Sequence, residues 1–150
     1  MRGVIVGGAL FGEEAYEEKL KELTRELGIA DRVTFAGHLD DVPKVMAACD
    51  VVVHCSTAPE PFGLVIVEAM MVGTPVIASA AGGAREIVVH GETGLLTPPG
   101  DENTLASAIR SNLDQPIRSA TMSGKAKERA IQKFSHIKMI ASFSSILDDY

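Results

Sequence analysis

Residues 51–78 read VVVHCSTAPEPFGLVIVEAMMVGTPVIA. The run Val51–Val53 is β-branched without polar alternation, which is typical of a strand buried on both faces of a parallel sheet, and Val76–Ala78 forms a second run of this kind after Pro75. The segment 62–72 between them is ambiguous, because its β-branched start would also suit a strand. It continues into good helix formers, and a third strand there would break the alternation of strands and helices. The stretch therefore predicts a strand–helix–strand unit whose helix is apolar nearly all round and buried.

The same alternation extends in both directions from this unit. Short apolar runs predict further strands at 4–6, 33–36 and 94–97, with 4–6 expected to be buried. Apolar residues at helical spacing predict helices at 14–27, 42–49, 102–113, 117–133 and 136–147. Gly28 is expected to end the first helix in a left-handed conformation. The chain is thus predicted to be one α/β domain, 1–150, with a Rossmann-like, doubly wound parallel sheet of about five strands and flanking helices.

Composition limits the classes of partner. The net charge of the 150 residues is −6, and no basic stripe is present, which argues against nucleic acid or an anionic membrane as the main partner. No apolar run approaches the ~18 residues of a membrane span. Cys49 and Cys55 lie six positions apart with no His/Cys cluster around them, so we interpret them as reduced core thiols of a cytoplasmic protein.

The loop after Val51–Val53 is the best candidate for a binding site. Ligands of open α/β sheets bind beyond the carboxyl ends of the strands, and the start of the following helix offers free N–H groups and a positive dipole end to a phosphate. Glu60 lies in this loop, where on its own it is simplest to interpret as a solvated carboxylate. Glu68 lies inside the helix, where burial without hydrogen-bond donors would cost several kcal/mol. Ribose hydroxyls would supply donors; capping a neighbouring loop or facing water are the alternatives.

Glu60 and Glu68, with seven residues between them, together resemble the Glu-x7-Glu motif of the family-4 retaining glycosyltransferases of GT-B fold, the glycosyl transferases group 1. Further stretches similar to that family are Asp50–His54, Pro59–Gly63, Glu68–Met70, Gly73–Ala78, Gly82–Gly83, Glu86–Val88, Gly94–Leu96 and Pro98–Asp101. The resemblance runs from about Val4 to Ser135. It implies that the chain is the nucleotide-sugar donor-binding half of a GT-B fold.

The resemblance also implies roles for individual residues. Glu60, the expected catalytic residue, would contact hydroxyls of the donor sugar, and Glu68 would contact the ribose. Backbone N–H groups of Phe62, Gly63 and Leu64 would hold the sugar or the diphosphate.

Two further positions, His38 and Leu39, resemble the family's base-contacting turn, in which main-chain atoms meet the nucleobase. For the His38 side chain itself, an exposed turn residue is the simpler interpretation. Gly82–Gly83 is more typical of a tight strand-to-helix turn than of a ligand contact.

The implied function is binding of a nucleoside-diphosphate sugar for retaining hexosyl transfer to an acceptor, without a metal or other cofactor. The alternative is a non-catalytic nucleotide-sugar-binding or interaction fragment. An epimerase or phosphorylase of GT-B fold is disfavoured by the sequence of Pro59–Gly63. The family's first strand, with its diphosphate-binding Arg and Lys, and its N-terminal acceptor domain are not matched here. We therefore expect a chain that is inactive alone and, in a longer enzyme, at most peripheral to a membrane.

Two structural expectations follow from the unmatched strand and domain. Strands 4–6 and 51–53 would flank the position of that strand, so we expect them to pair directly with each other. Helix 136–147, which in the family crosses to the N-terminal domain, carries an apolar stripe formed by Ile137, Ile140, Phe143 and Leu147. This stripe predicts either a concentration-dependent dimer, by self-association through the C-terminal helix, or a monomer that aggregates readily.

Overall fold

The computed structural model describes residues 1–9, 12, 14–59 and 61–135. It has mixed α/β structure in which every strand pairing of the two sheets is parallel. Internal contacts divide the chain into two compact units, Met1–Val42 and Pro43–Tyr150. The predicted helix 136–147 and its apolar stripe lie outside the described residues.

The first unit is a two-stranded sheet with one long helix. Strand β1 (Gly3–Val6) pairs in parallel with β2 (Val33–Gly37), and helix α1 (Glu14–Glu26) and a 3₁₀ turn (Ala30–Arg32) connect them. Gly28 ends α1 with a φ of 65°, the left-handed conformation that its position predicted.

Strand β1 is exposed, so the prediction of a buried strand at 4–6 is wrong. Val4 and Ile5 are 41% and 40% exposed, and no residue of α1 is buried. A β-branched run specifies an extended backbone, but whether it is buried depends on the elements that cover it. In the described part of the chain, β2 is the single strand that pairs with β1.

The second unit is built on a three-stranded sheet in the order β3 (Val52–His54), β4 (Val76–Ser79) and β5 (Leu95–Thr97). Its helices are α3 (Leu64–Val72), α4 (Ala84–Ile87), α5 (Glu102–Asp114) and α6 (Pro116–Phe134), and α2 (Val42–Ala47) begins at the boundary of the units. The five strands and the longer helices are where the sequence predicts them. The four-residue helix α4 follows Gly82–Gly83, where the sequence predicts a strand-to-helix turn, but its bounds are not predicted from the sequence.

The core of this unit lies on β4. Every residue of β4 is buried, and α3 packs on α6, with Ile66, Met70 and Ala126 all fully buried. By contrast β3 is only half-buried, so its predicted burial on both faces is wrong. The reason is its position, because β3 is an edge strand of the three-stranded sheet.

Segment 62–72 does contain a helix, α3, bounded by two left-handed glycines. Gly63 precedes it with a φ of 100°, and Gly73 follows it with a φ of 85°. Its burial is one-sided, however. Ile66 is fully buried, whereas Leu64 is 65% exposed, so the expectation of a helix buried all round is wrong.

Direct pairing of strands 4–6 and 51–53 does not occur among the described strands. β1 pairs with β2, and the amide of Gly7 extends that pairing by donating to the carbonyl of Gly37 at 2.8 Å. β3 pairs with β4 instead. The expectation placed both strands as neighbours in one collapsed sheet, but each forms its backbone hydrogen bonds with another strand. Within the described ranges, no helix combines the length and the apolar character needed to cross a bilayer.

Candidate functional site

The start of α3 presents a helix N-terminus without a side-chain cap from any described residue. The amides of Ile66 and Val67 donate to the carbonyl of Gly63 at 3.0 and 3.2 Å, and they are the first donors of the helix. The amides of Leu64 and Val65 precede them and belong to the turn whose N–H groups have no intrahelical acceptor. Such a terminus carries a partial positive charge and binds anions. The predicted phosphate-binding positions, 62–64, therefore lie at this end of the helix.

Glu68 lies one helical turn after Leu64, on the exposed side of α3. The sequence left open whether its carboxylate binds ribose hydroxyls, caps a neighbouring loop or faces water, and in the structure Glu68 is exposed. At 100° per residue, Ile66, Val67 and Met70 turn toward the core, and this places Glu68 with Leu64 on the other side. The carboxylate thus needs no partner for folding and is accessible to a ligand.

The turn Gly82–Gly83 lies directly against the residue that precedes Gly63. Gly82 has a φ of 54°, and Gly83, which caps the N-terminus of α4, has a right-handed φ of −58°. A Cβ atom on Gly83 would overlap the carbonyl oxygen of Phe62. The glycine pair therefore makes the predicted tight turn. Because Gly83 has no side chain, the main chain of Phe62 can lie directly against it.

Two residues of α6 reach the same region, and sequence analysis did not identify either. The ring of Phe134 contacts that of Phe62 edge to face, with centroids 6.0 Å apart and planes at 77°. Arg129 donates from Nε to the carbonyl of Ile87 at 2.8 Å and from a terminal nitrogen to that of Glu86 at 2.7 Å. No local sequence signal indicates contacts across more than forty residues.

The other predicted site residues belong to the first unit or lie outside the described residues. Glu60 is outside the described residues. His38 and Leu39 follow β2 in the first unit, and the His38 side chain is exposed, with Nε2 at 3.9 Å from Asp40 Oδ1. Their roles as base contacts stay predictions.

Both cysteines are free thiols, but their surroundings differ. Cys49 is half-buried, whereas Cys55 is exposed, so its interpretation as a core thiol is wrong. Cys55 follows the last residue of β3, where the chain leaves the sheet. Among the described residues, no group of three His, Cys, Asp or Glu side chains could hold a metal ion; the absence of a metal requirement stays a prediction.

Known proteins share this arrangement over nearly the whole chain. The sequence model of the glycosyl transferases group 1 matches residues 2–129. The chain belongs to this family. It is 40% identical over 141 residues, 91% of this chain, to the D-inositol 3-phosphate glycosyltransferase of Stackebrandtia nassauensis.

Solved structures agree on the fold. The crystal structure of Anabaena Alr3699/HepE in complex with UDP is 43% identical and superposes on all of this chain with a TM-score of 0.98. That of the same protein in complex with UDP-glucose is 44% identical, matches 99% of this chain and gives a TM-score of 0.96. The fold is therefore the Rossmann-like half of a GT-B glycosyltransferase, as the sequence predicted.

The match covers only part of each relative. The chain spans 31% of the length of the Stackebrandtia enzyme and 41% of Alr3699/HepE. What those longer proteins do therefore bears on this chain as a proposal.

Proposed function

We propose that this chain binds a nucleoside-diphosphate sugar, as the donor-binding part of a glycosyltransferase that transfers a hexosyl group with retention of anomeric configuration. The observation that carries the proposal is the exposed carboxylate of Glu68, one turn along α3 from an uncapped N-terminus. The complexes of Alr3699/HepE with UDP and with UDP-glucose support the same class of ligand.

The two features suit two parts of one ligand. The amides of Leu64 and Val65, at the positive end of the helix, would donate to the diphosphate oxygens. The Glu68 carboxylate is an acceptor only, so it suits the hydroxyl groups of the ribose. About 5.4 Å, the pitch of one turn, separates the two positions along the helix. A nucleoside diphosphate therefore matches the site better than a free phosphate, which would leave Glu68 unused.

Glu60 completes the proposed site. On the family resemblance it orients the hydroxyls of the donor sugar, while amides at 62–64 stabilise charge on the departing diphosphate. No metal and no covalent nucleophile is assigned a role. His38 and Leu39 would contact the nucleobase through their main chain.

The second candidate is a non-catalytic module that binds a nucleotide-sugar and transfers nothing. These 150 residues match about a third of the length of the Stackebrandtia relative, so binding is what they can be tested for by themselves. Closing a cleft between domains excludes water and completes a catalytic set, and one half alone does not supply both walls. We expect the 150-residue chain to bind the donor without transferring it.

Binding can be tested on the ¹⁵N-labelled chain by NMR titration with UDP, GDP, ADP and UDP-glucose. We expect one of the diphosphates to shift the amides of residues 62–68, with uridine, which lacks phosphates, shifting them far less. Inorganic phosphate serves as a second control, because it tests the helix terminus without the ribose. No shift in this segment with any of these nucleotides at millimolar concentration would contradict the proposed function.

A further inference from the structure

Phe62 directly precedes Gly63 and the first turn of α3, and it contacts two residues from distant parts of the sequence, Gly83 and Phe134. The main chain of Phe62 lies so close to Gly83 that a Cβ atom on Gly83 would overlap the Phe62 carbonyl oxygen. Phe134, near the end of α6, meets the ring of Phe62 at 77° with centroids 6.0 Å apart. Edge-to-face packing of this kind is geometrically selective. Phe62 is therefore contacted at its main chain by Gly83 and at its ring by Phe134.

Arg129 connects these two neighbours. Its guanidinium lies 6.0 Å from the centre of the Phe134 ring, within the range of a cation–π contact. The same group donates to the carbonyls of Glu86 and Ile87, at the carboxyl end of α4. An arginine is suited to this because its planar fork presents several donors at fixed angles.

The contacts of Phe62, Gly83, Arg129 and Phe134 form a closed cycle. Gly83 begins α4, and Arg129 holds the end of that helix. Arg129 lies over Phe134, Phe134 packs on Phe62, and Phe62 returns to Gly83. Gly83 and the two carbonyls that Arg129 holds lie at opposite ends of the same short helix, so loss of one contact would loosen the other three. The amides that follow Phe62 at the start of α3 would then lose their defined direction.

We propose that Arg129 and Phe134 are positioning residues of the donor site, which act by fixing Phe62 and the first turn of α3; this rests on the proposed function. In this role they would contact neither the ligand nor the reacting atoms. A ligand held by backbone amides needs those amides preorganised, because ordering them on binding would cost affinity. The proposal assigns that preorganisation to α6, a helix that is remote from the site in sequence.

Two variants remove one contact each. Phe134→Leu removes the aromatic edge and keeps an apolar side chain, and Phe134→Tyr retains the ring. Arg129→Gln removes the two-carbonyl clamp and one positive charge. Lys125→Gln is its matched control, because Lys125 is an exposed cation one turn earlier on α6 and its loss weakens general attraction of an anion equally.

The readout is the affinity of the chain for UDP, or for the diphosphate that binds it best, measured well below each variant's melting temperature. We expect Arg129→Gln and Phe134→Leu to weaken binding by about two- to thirtyfold, the usual range of coupling through a packed network. Phe134→Tyr should bind as the wild type does, and Lys125→Gln should lose only the small affinity that removal of one exposed positive charge causes. Amide shifts of Gly63 and Leu64 in the free chain should change with the first two variants only.

The outcomes separate the two proposals. If Arg129→Gln and Phe134→Leu melt at lower temperature but bind with wild-type affinity, the residues are merely structural and the positioning role is wrong. If the wild type binds none of the nucleotides, the proposed function fails and the positioning role fails with it. Should Arg129→Gln not fold, Arg129→Lys decides, because it keeps the charge but loses the fork; unchanged affinity there contradicts the role.

Discussion

The main chain of Phe62 fills the space in which Gly83 would carry a side chain. A Cβ atom on Gly83 would overlap the Phe62 carbonyl oxygen and lie 2.8 Å from both its carbonyl carbon and its Cα. Gly83 has an ordinary right-handed φ of −58°, so glycine is needed here for space and not for backbone conformation. The turn that begins α4 and the loop that begins α3 are thereby packed against each other.

Replacing Gly83 with alanine should destabilise the chain. The methyl group would meet backbone atoms, which cannot rotate away as a flexible side chain can, so one of the two loops must move. Overpacking of this kind typically costs about 1–3 kcal/mol. Urea denaturation of Gly83→Ala against the wild type measures the loss, and nucleotide binding should weaken as well.

The matched control for this substitution is Gly124→Ala. Gly124 lies inside α6 with no other group within 4 Å of its would-be Cβ, so alanine there should stabilise the chain by about 0.5–1 kcal/mol. We expect the free energy of unfolding to fall in Gly83→Ala and to rise in Gly124→Ala. Equal effects would mean that the contact with Phe62 is not what makes Gly83 necessary.

Replacing Glu68 with glutamine should weaken nucleotide binding without altering stability. The side chain is exposed, so folding does not depend on its charge. Loss of charged hydrogen bonds to ribose hydroxyls should cost about 1.5–3 kcal/mol of binding free energy. Isothermal titration with the best-binding nucleoside diphosphate measures it.

A ribose analogue isolates the contact that this prediction assumes. The 2′,3′-dideoxy form of the nucleotide should bind wild type and Glu68→Gln equally, because the hydroxyl donors are already gone. Glu92→Gln, an exposed glutamate of another loop, controls for the change in net charge. If Glu68→Gln still binds the dideoxy nucleotide more weakly than the wild type does, ribose recognition is excluded as the cause of its lower affinity.

The elements that the sequence predicts correctly are those whose signals are local. The apolar runs mark the strands to within one residue, and Gly28 adopts the positive φ predicted for the residue that ends α1. The helix at α3 was recoverable in spite of its β-branched start, because strand–helix alternation constrains what can lie between β3 and β4.

The features that the sequence missed depend on tertiary contacts. α4 is one turn long and is held at its end by Arg129, 42 positions from Ile87, so no window of sequence contains its cause. The exposure of Glu68 and of strand β1 depends on which elements cover them, and apolar patterning does not say. The expected pairing of β1 with β3 failed for the same reason, since pairing partners are a property of the whole sheet.

A pH dependence is expected from the N-terminus of α5. The hydroxyl and the amide of Thr104 donate to the Asp101 carboxylate at 2.6 and 2.9 Å, and these bonds hold the pKa of Asp101 below its ordinary value of 3.8. A lowered pKa in the folded state stabilises the fold above the unfolded pKa, and that stabilisation is lost as pH falls through the folded pKa. The excess stability of wild type over Asp101→Asn should therefore be full near neutral pH and shrink below 3.8. Urea denaturation of both chains from neutral to acid pH tests it; a constant difference would contradict the assignment.

The purified 150-residue chain should transfer no sugar, although it binds the donor. The expectation follows from its match to 31–41% of the length of its relatives and from the need for a closed cleft. Incubation with UDP-glucose, and with the other nucleotide-sugars that bind, should release no diphosphate above the level of a Glu68→Gln control preparation. Release of diphosphate by the wild-type chain but not by Glu68→Gln would show that this half alone is sufficient for transfer.

Cys55 should be the first thiol of the native chain to react with iodoacetamide, because it is exposed while Cys49 is half-buried. Mass spectrometry of peptides after timed labelling distinguishes the two sites. In urea both should react at similar rates, which controls for intrinsic reactivity, and Cys55→Ser should leave only the slow site.

Because Cys55 begins the loop that leads from β3 into α3, saturating nucleoside diphosphate should slow its labelling and leave that of Cys49 unchanged. Equal labelling of both thiols in the native chain would contradict the exposure on which this prediction depends, and labelling of Cys55 that nucleotide does not slow would place the ligand away from this loop.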